Sequence, residues 1–317
     1  MTTERPRLVF MGSPALAVPS LVAAARSFDV ALVVTQPDRP KGRGRVVSPT
    51  PVRQKASELG IEVLTTEDVN SDAATRRIAL AKPDFIVVVS FGQILKKKVR
   101  AVAPLRCVNV HFSLLPELRG AAPIAWAIIR GLDRTGVSIM EMVGKMDAGP
   151  VYARAVEQIQ PGDTSASLGG RLAPLGARLL VETLERRLSG ETESSAQDES
   201  AATYAPKITR AAGAIDWTRS AVEIDRLIRG LSGVLEAYAY FDAGAPVRVT
   251  FYDCAASVGD SPGPGVARRG ARAELLVGTG QGLVEISEIQ AEGRRRLAGS
   301  DFANGYRIKG GERFLNG

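Results

Sequence analysis

A single histidine stands among 317 residues, at the end of the run Cys107-Val-Asn-Val-His111. Imidazole is the one side chain whose ordinary ionisation falls near neutral pH. An enzyme moving protons there through an unperturbed imidazole has only His111 to use. Asn109 precedes it by two positions. On a β-strand, residues i and i+2 face the same side, so carboxamide and imidazole would point into one space. An amide N–H beside an imidazole suits the task of gripping a carbonyl oxygen that becomes negative during reaction. The blander reading is a strand end with a polar tip. A carboxylate near the ring decides between the two, because it orients the imidazole and accepts a proton. Asp147, in the turn-like Met146-Asp-Ala-Gly-Pro150, becomes that acid if two strand ends converge.

Two loops carry further candidates. Behind His111 runs Phe112-Ser-Leu-Leu-Pro116-Glu-Leu-Arg119-Gly-Ala-Ala-Pro123. Its Arg119 either anchors a substrate phosphate or braces the loop through a carboxylate. The stretch Thr35–Pro49 holds Arg39, Lys41, Arg43 and Arg45 against a lone Asp38, spaced by Gly and Pro. A mobile cationic loop suits a phosphate backbone, because each neutralised phosphate releases counterions; a solvated charged loop is the alternative. Lys96–Arg100 and Arg294–Arg296 read as solvated faces, with an extended nucleic-acid track as the alternative.

These residues need a frame. The first 110 residues alternate strand-like runs (8–11, 30–35, 62–64, 85–90, 107–111) with helix-like ones (16–26, 52–59, 72–80, 92–102). The strand runs are apolar and β-branched, as buried parallel strands are. Ser13 is expected to cap the first helix, with Pro14 as its first residue. This rhythm predicts a doubly wound, mostly parallel α/β sheet whose ligand edge gathers Gly12, Ser90–Gly92 and His111. Gly12-Ser-Pro is no Gly-x-Gly-x-x-Gly fingerprint, so a dinucleotide site is not expected. A long helix is predicted near 168–188. Beyond about residue 207, one helix and short strands between Gly/Pro turns predict a smaller OB-like β-barrel. The expected division is a catalytic domain over 1–188, an exposed acidic linker over 189–206 and the barrel over 207–317.

Composition sets the outer bounds. A net charge of +7 favours an anionic partner without specifying one. No run of 18 apolar residues and no signal-peptide core are present, so a cytoplasmic protein without membrane contact is expected. The two cysteines, Cys107 and Cys254, read as buried reduced thiols. With one histidine they make no His/Cys metal cluster, and no metal is expected.

Phe10-Met-Gly-Ser-Pro14, Asn109-x-His111-x-Ser-Leu-Leu-Pro116-x-x-Arg119-Gly-Ala-Ala-Pro123 and Asp147-x-Gly149 together resemble the 10-formyltetrahydrofolate-dependent formyltransferases. The similarity continues through Asp163-Thr-Ser, Tyr204-Ala-x-Lys207 and Ile215-Asp-Trp217. The loop Gln36-Pro-Asp-Arg-Pro-Lys-Gly-Arg43-Gly is similar to the branch that acts on tRNA.

The resemblance implies a Rossmann-like catalytic domain and a barrel that helps hold tRNA. It implies a monomer that passes the formyl group of 10-formyltetrahydrofolate to the α-amine of methionine on a charged initiator tRNA, for translation initiation. Asn109, His111 and Asp147 would be catalytic. Ser90, Phe91, Gly92, Gln93 and Ile94, with Ser113, Leu114, Leu115 and Pro116, would bind the folate. Arg39, Lys41, Arg43, Arg45 and Arg119 would bind tRNA. Phe112 and Ala148 replace a usual small residue and a usual Thr, and Ser232–Glu236 replaces a usual Pro-Trp-Pro. Phe112 is expected to narrow the pocket. A sugar-nucleotide or purine-precursor formyltransferase and a non-catalytic RNA-binding protein are the other readings.

Overall fold

The computed structural model describes residues 5–41, 46–257 and 259–317, with backbone alone at 40, 41 and 46. Two compact units emerge: residues 1–123, 134–158 and 169–206 form the first, and 124–133, 159–168 and 207–317 the second.

The first unit holds β1 (Arg7–Gly12), β2 (Asp29–Thr35), β3 (Arg39–Lys41), β4 (Val46–Ser48), β5 (Val63–Thr65), β6 (Phe85–Val89), β7 (Cys107–His111), β8 (Arg119–Gly120), β9 (Arg134–Glu141), β10 (Val151–Gln158) and β11 (Tyr204–Ala205). Its main sheet has the order β10-β9-β7-β6-β1-β2-β5. All pairs are parallel except those of β9 with β7 and β10. Leu8, Val9, Phe10 and Met11 are wholly buried, as a central parallel strand covered on both faces requires. From β1 the chain goes first to β2 and β5, then back to β6 and β7. That reversal leaves a crevice at the strands' carboxyl ends.

Helices α1 (Val18–Ser27), α2 (Pro51–Glu58), α3 (Asp72–Leu80) and α4 (Lys97–Arg100) lie between these strands. Ser13 is not a helix cap: Pro14 precedes a single 3-10 turn. The Ser13 hydroxyl instead donates to the Phe91 carbonyl and accepts from Gln36 N and Thr35 Oγ1. The helix expected over 92–102 shrinks to α4. Ser90 and Gly92 have φ of 47° and 82°. Gln93 ties Val69 N and Thr66 O, and Asn70 takes Lys96 N. Backbone committed to the 66–70 loop is lost to helical bonding.

The acidic segment 189–206 lies within the first unit and is a docked strap. Ser195 exchanges backbone hydrogen bonds with Val151, and β11 pairs in parallel with β8.

The second unit contains α5 (Pro123–Ile129) apart from its first residue, and the start of α6 (Ser165–Leu188), whose remainder belongs to the first. It continues with α7 (Ala221–Leu231), α8 (Gly299–Gly305) and strands β12 (Ala237–Asp242), β13 (Pro246–Ser257), β14 (Ala267–Arg269), β15 (Leu275–Gly278), β16 (Leu283–Ala291), β17 (Leu297–Ala298) and β18 (Phe314–Leu315). A reciprocal Ser220/Glu223 capping box starts α7. At its other end the departing Ser232–Glu236 stretch turns through Gly233, φ 81°, into β12. The antiparallel sheet runs β14-β15-β16-β13-β12-β18. It curls until its edges meet: Phe314 N donates to Gly265 O and Ala267 N to Glu312 O, both at 2.7 Å. Trp217, Phe241, Phe251, Phe302 and Phe314 fill this barrel-like unit. Among the described residues no helix is long and apolar enough to cross a membrane.

Candidate active site

Asn109 and His111 close β7, the last parallel strand before the sheet turns antiparallel, and face the same side. Val110 and Phe112 face the other, where both meet Gly176 of α6. Phe112 is therefore core, 3% exposed, and does not narrow the site. Gly176 lets α6 approach this closely: an added Cβ would sit 3.1 Å from Val110 and 3.3 Å from Val137.

His111 is buried, and its Nε2 lies 3.0 Å from the Leu118 carbonyl oxygen. A carbonyl only accepts, so Nε2 carries the proton in the neutral ring and Nδ1 keeps its lone pair. Nδ1 lies 3.7 Å from Asp147 Oδ2. The same carboxylate oxygen accepts the Gly120 amide at 2.8 Å. Asp147 has φ 47°, a left-handed conformation that surrounding contacts must hold for a non-glycine residue. The Asn109 carboxamide makes no hydrogen bond among the described residues. One free amide donor, one imidazole lone pair and one carboxylate thus share the carboxyl edge of the sheet.

Cys107, on the same strand, is no nucleophile: burial pushes its thiol up to about 12, and attack requires the thiolate. Among the described residues no His/Cys/Asp/Glu group is arranged to hold a metal ion.

The residues expected to meet folate divide into two sets. Ser90 is exposed and Ile94 is 74% exposed, so both offer surface at the switch point. Phe91 is buried, its carbonyl accepting from Ser13 Oγ and Gln36 Nε2. Gly92 is needed for its positive φ and for its closeness to Gln36, whose Nε2 would lie 2.4 Å from an added Cβ. Gln93 is occupied with Val69 and Thr66. Ser113 and Leu115 are buried. The Ser113 hydroxyl donates to Glu117 O, and Leu115 O accepts from Arg154 Nε. Pro116, after a cis peptide, accepts Thr203 N, and Leu114 lies beside Gly136. Ser113–Pro116 build the foot of the loop.

The residues expected to meet tRNA also divide. Arg39 is exposed in the β3–β4 ribbon; the Lys41 side chain, Arg43 and Arg45 lie outside the described residues. Arg119 is corrected: it is 0% exposed and cannot reach a phosphate. Its Nε and Nη2 donate to Gln197 Oε1 at 3.1 and 2.9 Å, and its Nη1 and Nη2 to Glu199 at 3.2 and 3.0 Å. Beside Arg119 and Lys145 the Glu199 carboxyl falls to about 2.

Sequence reasoning missed the partners on the strap. Gln197 Nε2 donates to Asp147 O and Gly149 O at 2.8 and 2.7 Å, and Thr203 Oγ1 accepts Leu118 N at 2.9 Å. The one available signal was Arg119 itself, a lone cation in an Ala/Gly loop that needed an acceptor from elsewhere.

An amide, an imidazole and a carboxylate thus gather at the carboxyl edge of a Rossmann-like sheet, in a chain that continues into a barrel-like unit. The Formyl transferase pattern matches residues 12–184 and the Formyl transferase C-terminal domain pattern residues 207–307. Methionyl-tRNA formyltransferase of Desulfotalea psychrophila is 40% identical over 303 residues, covering 95% of this chain and 93% of its own. Its counterpart in Bacillus subtilis is 39% identical over 309 residues, 96% of each chain. The chain belongs to the formyl transferase family. Fold likeness extends to HypX from Aquifex aeolicus in complex with tetrahydrofolic acid, at TM-score 0.64 and 18% identity over 97% of this chain and 48% of that one. It extends as well to the sugar 3N-formyl transferase WlaRD, at TM-score 0.62 and 15% identity over 92% of this chain and all of that one.

Proposed function

We propose that this enzyme transfers the formyl group of 10-formyltetrahydrofolate to the α-amine of methionyl-initiator tRNA. One observation carries the reading: Asn109, with an unengaged carboxamide, shares a strand face with an imidazole whose Nδ1 looks at Asp147. Near-full-length relatives at about 40% identity supply the acceptor. The exposed apolar Ile94 and the open turn at Ser90 fit a flat pterin-type ring and its amide edges. When bound, the folate supplies an activated formyl carbon.

The chain's own groups do the rest. Asn109 Nδ2–H donates to the oxygen that gains negative charge as the amine attacks. His111 is held by Leu118, so its working nitrogen is Nδ1 rather than Nε2. A proton leaving the amine reaches Nδ1 or Asp147 Oδ2, the paired acceptors 3.7 Å apart. A proton on Nδ1 faces the Asp147 carboxylate as an ion pair, and it then passes to the folate N10 as the bond between N10 and the formyl carbon breaks. Positioning and a preformed donor suffice without a covalent intermediate. The basic loop from Arg39 to Arg45 meets the acceptor end of the tRNA.

Labelled 10-formyltetrahydrofolate offered to charged initiator tRNA, with a sugar nucleotide as control acceptor, tests this directly. Label on the tRNA alone is the expected result; label on the sugar nucleotide alone refutes the acceptor.

A further inference from the structure

We propose that Gln197 is a positioning residue for the transfer. It fixes the turn carrying Asp147 against His111, and the strap 195–205 serves as the clamp that delivers it. The inference rests on the reading of Asp147 and His111 as the proton-handling pair.

Four hydrogen bonds converge on this one carboxamide. Both N–H groups of Nε2 are used, on the carbonyls of Asp147 and Gly149. Both lone pairs of Oε1 are used, by Nε and Nη2 of Arg119. The full complement of an amide is spent. The assignment of O and N is also unambiguous, because carbonyls only accept and guanidinium only donates. Gln197 thus measures the distance between a wholly buried arginine and the backbone on either side of Ala148.

Arg119 is the fixed post. Its neighbours hold the two catalytic groups: Leu118 O takes His111 Nε2, and Gly120 N donates to Asp147 Oδ2. Three consecutive residues therefore grip the imidazole, the strap and the carboxylate. Gly120 has φ 124°, and an added Cβ would meet Ala205 O at 2.5 Å, so the strap seals this grip from behind. Asp147 holds a left-handed conformation that the tie at its own carbonyl secures. Glu199 adds charge, pairing with both Arg119 and Lys145. By contrast, the Ser195 hydroxyl at the start of the strap reaches only Val151 O, at 3.3 Å, and touches neither Arg119 nor the Asp147 turn.

The experiment compares Gln197→Ala, Gln197→Glu and Ser195→Ala in the full-length enzyme with both substrates. Glutamate keeps the acceptors for Arg119 but loses both donors to the Asp147 turn. The expected result for Gln197→Glu is kcat down about 10–100-fold, as a displacement near 1 Å produces, at unchanged KM for folate and tRNA, with melting lowered less than in Gln197→Ala because the contact with Arg119 is kept. Gln197→Ala loses the same kcat and more stability. Ser195→Ala matches wild type. The single histidine gives a second readout: in 15N spectra the Nδ1 resonance moves in both Gln197 variants while Nε2, held by Leu118, stays. Wild-type kcat in Gln197→Glu, or an unmoved Nδ1 signal in both variants, overturns the proposal. If wild type transfers no formyl group the functional reading fails, and the Nδ1 signal still judges the clamp. If His111→Ala abolishes transfer while Gln197 variants retain it, only the clamp fails.

Discussion

The imidazole of His111 donates Nε2–H to the carbonyl oxygen of Leu118, seven residues further along, at 3.0 Å. That bond spends one nitrogen on structure and leaves the other, Nδ1, facing Asp147. It also joins the end of a buried strand to the loop behind it, so the ring cannot tumble without breaking a buried hydrogen bond.

Asn109→Ala should lower kcat by about 10²–10³-fold, the usual loss on removing one preorganised donor, and His111→Ala by about 10²–10⁴-fold, the usual loss of a general acid–base. Single-turnover formyl transfer at saturating substrates measures it, with circular dichroism showing intact folding. Near-wild-type turnover in His111→Ala would sink the proposed mechanism.

Arg119→Met should destabilise the first unit without touching tRNA affinity. Losing the guanidinium strands Gln197 Oε1 and the inner side of Glu199, at a cost of about 2–3 kcal/mol. The cost sits at the low end because Glu199, 55% exposed, recovers water. Urea unfolding measures the loss, and the salt dependence of the tRNA KM should stay as in wild type.

Glu199 gives a pH signature. Its carboxyl is depressed from 4.5 to about 2, chiefly by the hydrogen bond from Arg119 and then by Lys145. A depressed carboxyl stabilises the fold above its unfolded value, and that contribution is lost as pH falls through the folded one. Glu199→Gln should therefore melt below wild type at pH 7. The gap should narrow between about pH 4.5 and 2; a gap independent of pH would show that the ion pair contributes nothing.

Phe112→Leu should cost about 1 kcal/mol of stability through imperfect filling against Gly176. Folate KM should not change, since the ring lies on the face away from His111. A fall in folate KM would reinstate Phe112 as a wall of the pocket.

Arg39→Ala and Arg43→Ala should raise the tRNA KM and flatten its dependence on salt by roughly one counterion each, leaving folate binding intact. Kinetics at several salt concentrations check this.

Much of the frame was legible because periodicity reports burial. The strand Cys107–His111 and helix α3 have the expected bounds, and β1, β2 and β6 lie within a residue or two of theirs. The pairing of Asn109 with His111 followed from the two-residue repeat of a strand. Failures arose where side chains bond the backbone out of pattern: Ser13 spends its hydroxyl across the sheet edge, and Gln93 and Asn70 hold 92–96 away from helix. The acidic strap misled for a related reason. Its composition is that of a solvated linker, and its value lies in partners more than 45 residues away, as in the bond from Gln197 to Gly149.

The sequence by itself determined the alternation of strands and helices, the shared face of Asn109 and His111, and the presence of an acid in a turn after a later strand. Local repeat and residue chemistry are enough for each of these. Only the tertiary structure decided that Asp147 meets Nδ1, that Leu118 claims Nε2, and that Arg119 is a buried post rather than a phosphate ligand. Those outcomes depend on which distant backbone atoms lie within hydrogen-bond reach, and sheet order and the docking of residues 195–205 set that reach.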